Sequence, residues 1–297
     1  MWVLLAVLSA LLLGFYEVTK KVALNGNAVL PVLFLNVIIS ALIFLPFSIV
    51  SAATGWLDGT PFHVPAITLT AHGAIFLKAV IVLSSWISGY FAVKNLPLII
   101  TSSIKATQPA FILIGAILLF SERLNGYQWA GTLLAMIALI LFSSVGKREG
   151  IVFEKNKWIY LIFLATLLGA LSSLWDKHLV TTFDKAAVQV YTAYYQTFLM
   201  IPVLMVLWYP HRKHSTPFRW RNSILYISLF LTVSDFLYFY SLSLDGSLIS
   251  VVSTIRKGGV IVPFVAGAVL FHERHILVKA VLLGFVLIGM YLIFLGS

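Results

Sequence analysis

The chain has 297 residues, of which 61% are hydrophobic, 14% aromatic and only 10% charged, with a mean hydropathy of +1.01. Soluble domains hold about 45–50% apolar and about 25% charged residues, so a soluble enzyme, a disordered chain and a peripheral protein are excluded. A net charge of +10 without a soluble domain points to basic loops on one membrane face rather than to nucleic acid.

At about 20 residues per crossing, hydropathy and polar breaks predict ten spans. The first runs from Trp2 to Ala23 and stops before Asn25-Gly26-Asn27; its apolar start reads as a span rather than a cleaved leader. The second covers Val29–Ala53. After the polar Asp58–His63 loop, the third covers Ala71–Val93. The fourth is Leu98–Phe120, ending at Ser121-Glu122-Arg123, and the fifth Tyr127–Val145. Beyond a charged linker come the sixth, Trp158–Leu179, and the seventh, Ala186–Trp208. The eighth is Ser223–Leu242, the ninth Ser247–Phe271, stopping at His272-Glu273-Arg274, and the tenth Ile276–Gly296.

The halves repeat. Trp2 precedes Lys21 by the spacing with which Trp158 precedes Lys177, and Phe120-x-Glu122-Arg123 matches Phe271-x-Glu273-Arg274. Counting back equally from the latter motifs lands on Lys105 and on Arg256. The expected domains are a first five-helix repeat, 1–146, a charged cytoplasmic linker, 147–157, and a second repeat, 158–297. Five is odd, so the second copy crosses in the opposite sense, which is the inverted-repeat plan of secondary transporters with a site near the midplane. The fold class is therefore an all-α integral membrane protein of about ten spans in two inverted five-helix repeats.

Odd-numbered loops carry Lys20, Lys21, Lys94, Lys147, Arg148, Lys155, Lys157, Arg212, Lys213, Arg219, Arg221 and Arg274; even-numbered loops hold little beyond Arg123, Lys177 and Lys185. The positive-inside rule puts the odd loops in the cytoplasm and both termini outside, in a bacterial inner membrane on this reading.

A charge deep in the bilayer costs about 2.5–3.5 kcal/mol on insertion scales and marks function by default. Lys105, Arg256 and Lys257 lie too deep to snorkel and should face the bundle interior; helix-locking salt bridges are the competing reading. Lys78 reads as a snorkelling residue. Asp235, beside Tyr238 and Ser234, is the deepest acid and is expected to pair with Arg256 or Lys257. Three cations less one anion leave about two positive charges, which suits phosphate or carboxylate. Glu17 with Lys20 and Lys21, and Asp176 with Lys177, are gating or coupling candidates, with ordinary interfacial charge as the alternative. Pro97, Pro109, Pro202 and Pro263 can bend or interrupt helices. Polar residues on the third and seventh spans, including Gln189, Thr192 and Gln196, could line a path, though bonding within the bundle is the simpler role. The lone His72 and His178 read as interfacial.

Ten spans, the inverted repeat and the Glu-Arg span endings resemble the drug/metabolite transporter superfamily, EamA-like, over essentially the whole chain. Three stretches are similar to its triose-phosphate/nucleotide-sugar branch. Tyr16-Glu17-Val18-Thr19-Lys20-Lys21-Val22-Ala23-Leu24-Asn25 resembles the Lys-Lys ending of that branch's first helix, with one extra residue before Leu24-Asn25. Thr101-Ser102-Ser103-Ile104-Lys105-Ala106-Thr107-Gln108-Pro109 resembles its fourth-helix phosphate-lysine stretch. Ile255-Arg256-Lys257-Gly258-Gly259-Val260-Ile261-Val262 resembles its ninth-helix stretch around a basic pair, here in the order Arg-Lys. The resemblance implies that Lys105, Arg256 and Lys257 hold a substrate phosphate and that transport is strict exchange. Where the branch has a substrate-contacting tyrosine this chain has Val233, with Tyr238 as a substitute. Where it has a third-helix hydroxyl this chain has Gly89, flanked by Ser88 and Tyr90. Tyr16-Glu17-Val18 also resembles the first-helix glutamate stretch of small multidrug exporters in the same superfamily.

The sequence thus predicts a secondary transporter exchanging a small anionic, phosphorylated metabolite for a counter-anion, without a cofactor, a metal or nucleic acid. The oligomeric state stays open between monomer and homodimer. The alternative is a proton-coupled exporter of amino acids or organic cations using Glu17 or Asp235. A non-transporting receptor or lipid-handling protein is a third class. No HExxH, GxSxG or paired metal carboxylates point to an enzyme, and the lack of cysteine excludes thiolate metal sites.

Overall fold

A computed structural model describes residues 2–120, 125–244, 252 and 255–296; at 116–120, 147, 148, 177, 180, 181, 242 and 243 it describes the backbone alone. The described residues are helical, without strands. Nine of their helices are long and apolar enough to cross a membrane. Span one is α1, Trp2–Leu24; span two is α2, Val29–Ala53; span three is α3, Leu69–Asn95. Span four is divided into α4, Leu98–Ala106, and α5, Gln108–Phe120; span five is α6, Gly126–Arg148. Spans six, seven and eight are α7, Lys157–Thr182, α8, Lys185–Val203, and α9, Ser223–Ser243. The described part of span nine has a helical turn at 255–257, a 3-10 turn at Gly258–Val260 and α10, Ile261–Val269. Span ten is α11, Ile276–Leu295. The Glu122-Arg123 motif and the expected start of span nine lie outside the described residues.

The starts have local causes. Thr68 accepts from the Ala71 N–H, Asn156 from Trp158 and Asp184 from Ala187, each covering a helix donor that the next turn cannot reach. Pro202 lacks an N–H, and α8 passes straight into a π-helical turn at Leu204–Trp208.

Lipid offers no hydrophobic drive between helices, so apolar side chains face outward and small residues set the seams. On α1, Leu4, Leu8, Leu11 and Phe15 are exposed while Ala6, Ala10 and Gly14 pack inward. Gly259 meets Ala10 there so closely that a Cβ would overlap the Ala10 carbonyl. Gly259→Ala is expected to force α1 and span nine apart and to cost roughly 1–3 kcal/mol. A lowered melting temperature in detergent would show it; an unchanged one would contradict this packing.

The helix pairings cross between the halves. α1 packs on α9 and α3 on α7, while α2 meets α8, α4 meets α10 and α6 meets α11. Exchanging span one with six and span three with eight turns the first pairing into the second and leaves the others unchanged. That is the pattern two units related by a two-fold axis in the membrane plane would give.

Candidate functional site

Spans four and nine are each interrupted beside the cations picked out above. α4 stops at Thr107, directly after Lys105 and Ala106, and span nine turns 3-10 at Gly258, directly after Arg256 and Lys257. The interval that relates Lys105 to Arg256 also relates Thr107 to Gly258. The interruptions have a chemical origin. Pro109 cannot donate to the Lys105 carbonyl, and Pro263 cannot donate to that of Gly259. Lys105 therefore sits in the last turn of α4, where the backbone dipole favours positive charge.

Around these interruptions lies a cavity of about 290 Å³, lined from both halves of the chain. Its cations are Lys20, Lys78, Lys105, Arg256 and Lys257; its carboxylates are Glu17, Asp176 and Asp235. Five against three leaves a formal excess of two positive charges. The sequence expectation reached the same excess from only four of these groups.

The ion pairs are specific. Glu17 lies between two lysines, 2.7 Å from the Lys105 Nζ and 2.6 Å from the Lys20 Nζ. Asp235 is bonded to Arg256, whose guanidinium also lies 4.4 Å from the centre of the Tyr238 ring. Among the described residues Lys257 has no carboxylate partner: its Nζ donates to the Gln108 Oε1 at 2.8 Å, and the Gln108 Nε2 donates to Ser173 at 3.0 Å. Lys105 and Arg256 thus each have an acid, one of them shared, and Lys257 has an amide.

Several expectations change. Lys20 belongs to no loop; it is 1% exposed, between Glu17 and the rings of Tyr16 and Tyr90. Lys21 points away from Glu17 and donates to the carbonyls of Val93 at 2.7 Å and Leu96 at 2.6 Å, closing the end of α3. Lys78 does not snorkel: it is buried and 2.7 Å from Asp176. Asp176 therefore pairs across to α3, and the Lys177 side chain lies outside the described residues. Ser88 is absent from the lining, and its hydroxyl donates back to the Ser84 carbonyl at 3.0 Å. Gly89, one residue on, faces the cavity and Lys105 instead. Tyr90 does line it, with its hydroxyl 3.5 Å from that of Tyr16. His72 accepts or donates one bond to the Tyr195 hydroxyl at 2.6 Å.

The odd-loop end of the bundle is stitched shut. Glu273, from the second Phe-x-Glu-Arg motif, accepts from the Ile99 N–H at 3.1 Å and so caps α4. It also lies 3.2 Å from the Lys279 Nζ, which is 2.9 Å from Glu149. Lys279 is fully buried. His272 and His275, on either side of Glu273-Arg274, adopt left-handed backbone (φ 48° and 55°), a turn that costs a non-glycine residue about 1–2 kcal/mol and swings Glu273 back over α4. Asn27 exchanges two hydrogen bonds with the Arg219 backbone, and Arg221 donates to the Val22 carbonyl. In the other direction the cavity runs to Asp176, Gln189 and Phe239, which lie near the even-loop ends of α7, α8 and α9.

Such a fold and cavity define a class: a multi-pass helical membrane protein with a polar interior site. Residues 1–144 match the EamA-like transporter family, so the first half of the chain is an EamA-like unit, consistent with the drug/metabolite transporter superfamily. The match, which covers a little under half of the chain, is to a family of membrane transporters. One solved crystal structure of a protein superposes with a TM-score of 0.59 over 96% of each chain at 14% identity, a likeness of fold alone. No curated protein matches the sequence.

Proposed function

We propose that the protein is a secondary transporter that exchanges small organic or inorganic anions, with phosphorylated metabolites as the preferred class. One observation carries this reading: cations at matching interruptions of spans four and nine share a cavity with a formal excess of two positive charges. Arg256 offers a planar fork for phosphate or carboxylate oxygens, and Lys105 and Lys257 offer mobile point charges. At about 290 Å³ the cavity lies at the small end of ligand sites and suits a metabolite of few atoms.

The two five-span halves, 1–146 and 158–297, rock about this site, with 147–157 as their cytoplasmic linker. The arrangement described is sealed at the odd-loop end, and the opposite state opens that seal. Closing an empty cavity would dehydrate two uncompensated charges, a penalty of several kcal/mol per ion. A bound anion removes that penalty, so return of the empty carrier is disfavoured and exchange follows.

Proteoliposomes test it. Uptake of labelled inorganic phosphate is expected only when phosphate is also inside, and it should survive a protonophore. Uptake into empty vesicles would contradict exchange. Uptake of organic cations abolished by the protonophore would favour proton-coupled export through Glu17 or Asp235.

A further inference from the structure

The cations of the cavity are not partnered alike. Lys78 meets Asp176, Arg256 meets Asp235, and Lys20 and Lys105 share Glu17. Lys257 is met instead by an amide, the Oε1 of Gln108. The excess of two positive charges therefore has two sources, one shared carboxylate and one neutral partner.

The surroundings of Gln108 place it for this role. It is the first residue of α5, just past the interruption at Thr107, and Lys257 directly precedes the 3-10 turn at Gly258. Their bond thus joins the broken point of span four to that of span nine. Gln108 lines the cavity at 8% exposure. Gly169 of α7 leaves it room, since a Cβ there would lie 3.2 Å from the Gln108 Oε1. The direction of the amide is set from behind. The Ser173 hydroxyl donates to the Gly169 carbonyl at 3.0 Å, so toward Gln108 it can only accept, and the Gln108 Nε2 donates to it. That turns Oε1 toward the Lys257 ammonium, which has donors only. Both ends of the relay demand the same orientation. Glutamate has the same reach and would cancel the charge; leucine would leave the ammonium unheld.

We infer that Gln108 is a positioning residue: backed by Ser173, it holds the Lys257 ammonium in the cavity without cancelling its charge, which stays available to a bound anion. This rests on the anion reading above, in which Lys257 is one of three cations that receive the charged group. A neutral amide competes for the ammonium less strongly than a carboxylate, so an anion reaches Lys257 without displacing an internal acid.

Titration of inorganic phosphate into the purified protein in detergent tests it, with thermal unfolding alongside. Gln108→Glu should hold Lys257 in place and melt no lower than the wild type, yet bind phosphate about tenfold more weakly, the scale of one charged hydrogen bond. Gln108→Leu should weaken binding about threefold, because the ammonium is no longer held. In a Lys257→Met background Gln108→Leu should add nothing, because Gln108 acts through that lysine. Phosphate binding at wild-type strength in Gln108→Glu would overturn the inference, as would a further loss from Gln108→Leu in the Lys257→Met background. A joint fall of melting temperature and affinity in Gln108→Glu would overturn it too, by showing a merely structural role. A wild-type protein that binds no phosphate overturns the anion reading and this inference with it, whereas the variant outcomes bear on Gln108 alone.

Discussion

Removing the Arg256–Asp235 pair as a neutral double variant, Arg256→Gln with Asp235→Asn, should leave the protein folded and cut anion affinity roughly 10- to 100-fold. The scale is that of a charged hydrogen bond, about 1.5–3 kcal/mol. The two single variants should behave differently from each other. Arg256→Gln alone strands Asp235 in the cavity, which adds like-charge repulsion against the substrate and a cost to folding. Asp235→Asn alone frees the guanidinium from its carboxylate and should tighten anion binding. Titration with inorganic phosphate, alongside thermal unfolding of each variant, checks all three signs. Weaker phosphate binding in Asp235→Asn would show that the acid contributes to recognition rather than competing with the ligand.

The second large effect lies at the sealed end. Lys279→Met leaves Glu149 and Glu273 facing each other without their cation. Breaking a buried pair in this way costs about 3–5 kcal/mol, and thermal unfolding in detergent should fall by on the order of 10 °C. Glu273→Gln is milder, since an amide oxygen can still accept from Ile99. It should loosen the seal more than it unfolds the protein. The chain contains no cysteine, so single cysteines placed near Val93 and Leu96 would report the loosening as faster labelling by a membrane-impermeant thiol reagent. An unchanged melting temperature in Lys279→Met would show that the buried triad does not hold the bundle together.

The helix ends were legible in the sequence because each span is a long apolar run stopped by turn or charged residues. The predicted Val29–Ala53 coincides with α2, and the predicted Trp2–Ala23 and Ile276–Gly296 each differ from the observed helix by one residue. The interruption at Thr107 was hidden, because Leu98–Phe120 is apolar on both sides of it; only Pro109 hints at a freed carbonyl. Depth alone picked out Lys105, Arg256 and Lys257. The roles of the other charges depended on facts that no local pattern carries. Lys20 and Lys21 are neighbours in sequence, yet a helix turns them about 100° apart, and one enters the cavity while the other meets the carbonyls of Val93 and Leu96. Lys78 looked solitary since Asp176 lies in the other half of the chain. Gln108 joins Lys257 to Ser173 across an interruption that the hydropathy does not show. Glu149 read as part of a solvated linker because its partner, Lys279, comes from the last span.

Equilibrium binding of inorganic phosphate and of an organic cation, tetraphenylphosphonium, to the purified wild-type protein tests the positive cavity most directly. The account predicts saturable phosphate binding that weakens as salt screens the site, and no competition from the cation. Saturable binding of the cation with no response to phosphate would contradict it.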